Sequence, residues 1–140
     1  MPISNLYIKH FHAGPEVIDA NGHVNNVAYV QWMQDIAIDH YHSLGGNAAQ
    51  GDSATWVVRK HDIEYFAGAV AGDEIEGRTW IEDLRRVRSL RKYEFVRKAD
   101  GQVLVRAQTD WVFVDTTTGA PRAVSAEVIT AITRGAAGTS

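Results

Sequence analysis

The chain has 140 residues, no cysteine and a formal charge of −3. No disulfide, zinc–thiolate site or cysteine nucleophile is available to it, and the charge argues against a general nucleic-acid binder. With 45% hydrophobic and 22% charged residues, residues 1–140 read as one globular domain with a single core.

The N-terminal stretch "MPISNLYIKHFHAG" lacks the basic and apolar segments of a secretory signal. No apolar run approaches the length of a membrane span, so a soluble, cytoplasmic protein is expected. Residues 3–12 alternate as a strand, with Leu6, Ile8, His10 and His12 on one face. Next comes "DANGHVNNVAYVQW", residues 19–32, which begins like a loop and ends like a helix.

Tyr29, Met33, Ile36, His40 and Leu44 then repeat at helical spacing, and Val30, Ala37 and Tyr41 widen that stripe. Gly45 and Gly46 stop the helix, and a polar loop through Gly51 to Ser53 follows. Strands are predicted at 55–66, 74–84, 89–98 and 102–115, with Asp100-Gly101 as a hairpin turn between the last two. In the second of these, Ile75, Gly77, Thr79 and Ile81 share a face. "TTTG" (116–119) closes the sheet region, a short helix is expected over 125–133, and 134–140 reads as a frayed tail.

The order predicts an α+β fold: an antiparallel sheet of about five strands wrapped around one long helix. Such a sheet leaves one face and one edge strand unpartnered, so a homodimer or a dimer of dimers is expected.

Five polar side chains crowd the start of the helix, where capping requires one. The spacing D-x-N-x-H-x-N-N-x-x-Y, at Asp19, Asn21, His23, Asn25, Asn26 and Tyr29, resembles the hotdog-fold thioesterases of the 4-hydroxybenzoyl-CoA thioesterase type. Within them it looks most like the acyl-CoA hydrolase branch, and its D-x-N-x-H core is similar to the catalytic segment of plant acyl-ACP thioesterases. "AGAVAGDEI" and "DWVFVD" are weaker echoes.

The resemblance implies a dimeric thioester hydrolase acting on acyl-CoA. Acyl-ACP hydrolysis and non-catalytic acyl-CoA binding are the alternatives. Chemistry assigns the parts. Asp19 is placed to act as general base for water or as nucleophile, with Asn21 and His23 orienting the water or tuning the acid. The unpaired N–H groups at the helix start, near Asn25 to Val27, suit an oxyanion. Gly22 lets the backbone turn closely, and Asn25, Asn26 and Tyr29 are expected to meet the substrate. A plain Asx turn with Asn25 or Asn26 as cap is the competing structural explanation. No cofactor is expected, because a thioester is already activated.

"LRRVRSLRK" (84–92) carries Arg85, Arg86, Arg88, Arg91 and Lys92. The resemblance implies contacts with coenzyme A phosphates, with Arg88 and Arg91 the leading candidates. A solvated strand edge is the simpler alternative. His10 and His12 have a spacing that metal sites use, but nothing else supports a metal, and none is expected. No serine-hydrolase elbow, dinucleotide fingerprint or Walker stretch is present. The four tryptophans read as core or interface residues.

Overall fold

A computed structural model describes residues 2–137. The elements are β1 (Tyr7–His12), a single 3₁₀ turn (Pro15–Val17), α1 (Asn26–Ser43), α2 (Gly46–Gln50), β2 (Ala54–Tyr65), β3 (Glu74–Leu84), β4 (Arg88–Arg97), β5 (Val103–Asp115) and α3 (Ala126–Ala137). The five strands form one sheet in the order β1-β3-β4-β5-β2, antiparallel throughout.

The sheet wraps α1 because both present apolar residues at matching periods. Tyr29, Met33, Ile36, His40 and Leu44 are all buried, as their helical spacing requires. Opposite them, Ile75, Gly77 and Thr79 of β3 and Tyr93 and Phe95 of β4 point inward at every second position. Gly77 permits the closest approach. A Cβ there would come within 2.7 Å of the Phe11 ring and 3.2 Å of Ile36 Cδ1. A second apolar cluster, with Ile81 and Phe113 beneath Val128 and Ile132, docks α3 at the other end of the sheet. Each large side chain buried this way contributes about 1.5–3 kcal/mol.

Two expectations, on the loop after Gly45 and on the tail, are corrected. Leu6, Ile8, His10 and His12 share one face as expected; that face points outward, and Phe11 is the residue of β1 that enters the core. Apolar residues stand on both faces of that segment, so alternation alone left its orientation open. The loop after Gly45 contains a one-turn helix, α2, entered through Gly45 at φ +78°. The tail expected from 134 begins inside α3, while 138–140 lie outside the described residues. Among the described residues no helix is long and apolar enough to cross a membrane.

Candidate active site

The segment before α1 is folded back on itself. Ile18 and Val24 form an antiparallel bridge, and the Asp19 N–H donates to the His23 carbonyl at 2.8 Å. Gly22, at φ +79°, closes the turn by donating to the Asp19 carbonyl at 3.0 Å. That conformation strains any residue with a Cβ.

Asp19 Oδ1 accepts the N–H groups of Asn21 and His23 at 2.9 and 3.2 Å. This is the Asx turn that competes with a catalytic role, and it also fixes the direction of the carboxylate. Among the described residues Oδ2 has no hydrogen-bond partner. Asp19, Asn21 and His23 are all exposed.

The loop is pinned from two sides. The Val24 N–H donates to the Ala69 carbonyl and the Asn25 N–H to the Val17 carbonyl, both at 2.9 Å. The His23 ring lies over Gly68, where a Cβ would come within 2.7 Å of it. Arg97 holds the Gly68 carbonyl at 2.8 Å while pairing with Asp73 and Asp100. Arg97 is not among the residues that the sequence singles out. Nothing local in "FVRKADG" reveals that its arginine reaches a loop far away in the chain.

Asn25 is the N-cap of α1, and its Oδ1 accepts the Ala28 N–H at 2.7 Å. Among the described residues the N–H groups of Asn26 and Val27 have no acceptor, and Val27 is 78% exposed. An oriented carboxylate and a free helix N-terminus thus stand on one short stretch of surface. That pairing supplies a base and donors for a developing anion.

The other expected contacts fall elsewhere. Tyr29 is 2% exposed and lies in the core, packed edge-on against Trp32, Tyr65 and Phe95. Burial, with Tyr65 adding to it, pushes its hydroxyl up to about 12, and among the described residues that hydroxyl has no hydrogen-bond partner.

Arg88 and Arg91 are separated by an odd number of strand positions and therefore face opposite sides of β4. Arg88 is exposed and pairs with Asp110, which also holds Arg59 at 2.7 Å. Arg91 is 4% exposed and points under the helix. The expectation that the two act as one phosphate clamp is corrected on that ground. His10 and His12 are exposed, and His12 meets Glu74 at 2.5 Å. Among the described residues no cluster of three or more His, Asp or Glu is gathered to hold a metal.

The architecture is a hotdog fold, shared with solved thioesterase structures. A 1,4-dihydroxy-2-naphthoyl-CoA thioesterase from Synechocystis is 20% identical, with TM-score 0.81 over 91% of this chain and 96% of that one. A 12:0-ACP thioesterase from Umbellularia californica is 20% identical, with TM-score 0.83 over 93% of this chain but only 50% of that one. A probable thioesterase from Escherichia coli is 18% identical, with TM-score 0.78 over 91% and 96%. A search of curated proteins found no match. The sequence profile of the Thioesterase-like superfamily matches residues 13–132. The chain belongs to that superfamily, and its membership supports thioester hydrolysis as the class of chemistry.

Proposed function

We propose that this protein is a cytoplasmic acyl-CoA thioesterase, cleaving the thioester to a free acid and coenzyme A. The observation that carries the reading is the Asp19 carboxylate, held by two backbone N–H groups directly ahead of a helix whose first N–H groups are unpaired. In the base mechanism, Asp19 takes a proton from water as the water oxygen bonds to the carbonyl carbon. The carbonyl oxygen becomes an anion facing the Asn26 and Val27 N–H groups. Collapse of that intermediate breaks the C–S bond, and the proton passes from Asp19 to the departing thiolate. His23 and Asn21 flank the water, and Asn25 sets the helix start.

The basic turn between β3 and β4 contacts the coenzyme A phosphates through Arg85, Arg86 and Arg88. This turn lies at the far end of the sheet from Asp19, because the start of β3 pairs with the end of β1 near the loop. An eleven-residue strand spans about 35 Å. One substrate reaches both features only when they belong to two subunits, which supports a homodimer or a dimer of dimers. Pairing of two β2 edges in antiparallel sense brings one chain's basic end toward the other's loop.

The test is release of free thiol from short, medium, long and aromatic acyl-CoAs. Turnover by the wild-type protein and its loss in Asp19→Asn support the proposal. Absence of turnover across the panel supports the non-catalytic acyl-CoA-binding alternative. The likeness to half of the plant acyl-ACP enzyme favours one further reading, an acyl-ACP thioesterase. Comparing acyl-CoA with acyl-ACP at equal concentration separates the carriers.

A further inference from the structure

Gly68 stands in the turn between β2 and β3, and its backbone does not require a glycine. The positive φ angles of this chain's glycines fall at other positions, Gly22 and Gly72 among them. What glycine supplies at 68 is space. A Cβ there would come within 2.7 Å of the His23 ring Cδ2 and 2.9 Å of its Nε2. The imidazole thus occupies the place where a side chain of residue 68 would begin.

The same glycine is held by Arg97. Nη2 donates to the Gly68 carbonyl at 2.8 Å, Nη1 to Asp100 at 2.9 Å and Nε to Asp73 at 3.3 Å, so all three guanidinium nitrogens are engaged. The arginine's own backbone is fixed by the β4–β5 hairpin, where its N–H donates to the Gln102 carbonyl at 2.9 Å. Asp73 extends the grip, because its carboxylate also accepts the Val70 N–H at 3.0 Å. Between these two anchors the Ala69 carbonyl accepts the Val24 N–H at 2.9 Å and so holds the Asp19 loop.

An ionic staple would need only the two carboxylates. Here one arm of the fork goes to the backbone of the residue on which the His23 ring rests. His23 in turn donates its N–H to Asp19 Oδ1 at 3.2 Å. One line of contacts therefore runs from Arg97 through Gly68 to His23 and the carboxylate.

We propose that Arg97 and Gly68 are positioning residues for thioester cleavage. The guanidinium fixes the Gly68 backbone, and the missing Cβ seats the His23 imidazole at the Asp19 loop. This assignment rests on the reading of Asp19 as the catalytic carboxylate. The test measures kcat, KM and Tm with the best acyl-CoA of the panel.

His23 is exposed, so in Gly68→Ala its ring yields to the new methyl group and the fold is kept. Tm should hold and KM should change little. The kcat should fall about tenfold, close to the loss in His23→Ala, because misplacement by about 1 Å can cost as much as 100-fold. The double variant, Gly68→Ala with His23→Ala, should be no slower than His23→Ala alone, since the methyl group has no ring left to displace.

Arg97→Met should lower both Tm and kcat. Arg97→Lys returns a cation to Asp73 and Asp100 without the planar fork, so it should restore Tm and leave kcat about tenfold low. Wild-type kcat in Gly68→Ala overturns the proposal, as does an additive loss in the double variant. Recovery of kcat together with Tm in Arg97→Lys also overturns it, and this pair decides the matter if Gly68→Ala fails to fold. Asp19→Asn separates the two failures. Retained turnover there removes the catalytic reading and the positioning with it, whereas loss there beside an unaffected Gly68→Ala removes the positioning alone.

Discussion

The Asn25 carboxamide oxygen caps α1 at the Ala28 N–H, 2.7 Å away, rather than at Asn26 or Val27. One side chain thus completes the helix end and leaves the two preceding N–H groups for another acceptor. Stability and catalysis are separable at this position. Asn25→Ala removes the cap and should cost about 1 kcal/mol in urea unfolding. Asn25→Asp keeps a capping oxygen, so it should unfold close to wild type. Its negative charge beside the oxyanion should nonetheless lower kcat by at least about tenfold. An Asp variant with wild-type turnover would remove the oxyanion role from this helix start.

Asp19→Asn tests the proton acceptor. The new carboxamide oxygen can still accept from the Asn21 and His23 N–H groups, so the loop keeps its shape. Turnover should fall by roughly 10²–10⁴, the usual scale for a general base. His23→Ala should cost less, since water replaces an orienting group in part. Steady-state kcat with the best acyl-CoA, beside an unchanged circular dichroism spectrum, makes the comparison. Retention of most activity in Asp19→Asn would leave the carboxylate as an Asx turn only.

The helix and the strands were legible because their periods are long and regular. Met33, Ile36 and His40 fall on one stripe, and Asp100-Gly101 marks its hairpin without help from the rest of the chain. The burial of Arg91 was written in the same code. Ser89, Tyr93 and Phe95 give its face, but five charges in nine residues suggest a surface. What the sequence does not carry is partnership across distance. Arg91 meets His40 and Arg97 meets the Gly68 carbonyl only once the sheet has closed on the helix. The short helix α2 was hidden for a different reason, since five residues are too few to show a period.

Acid stability should report His40. Burial, and then the positive charge of Arg91, pull its imidazole down to about 3. In the unfolded chain a histidine titrates near 6.5. Below that pH the unfolded chain takes up a proton that the folded one refuses. The contribution of His40 is therefore fully present above about pH 6.5 and is lost as pH falls from there toward 3, by up to about 1.4 kcal/mol per unit. The groups around the ring are Arg91, Asn5 and the stacked Tyr7. His40→Gln preserves an acceptor for Arg91 and a donor for Asn5 without titrating. Urea unfolding of both proteins between pH 7 and 4 should show the wild type losing stability more steeply. Parallel curves would mean that His40 is not the titrating group.

The distance between Asp19 and the basic turn makes the proposed active site a property of two chains. If the substrate spans subunits, a dimer of Asp19→Asn with a variant lacking Arg85, Arg86 and Arg88 contains one site with both lesions and one site with neither. Each parent alone should be nearly silent at substrate concentrations well below the raised KM, where loss of phosphate contacts is most visible. After random subunit exchange about half of the dimers are mixed, so about a quarter of wild-type activity should return, a consequence of two-fold symmetry. Adding salt should weaken wild-type acyl-CoA binding in the same direction as the arginine substitutions, and should spare minimal thioesters that lack the nucleotide. Sites confined to single chains would return nothing on mixing. Zero recovery, with exchange verified by mass spectrometry of the mixed dimer, would therefore eliminate the shared site and leave thioester hydrolysis by Asp19 untouched.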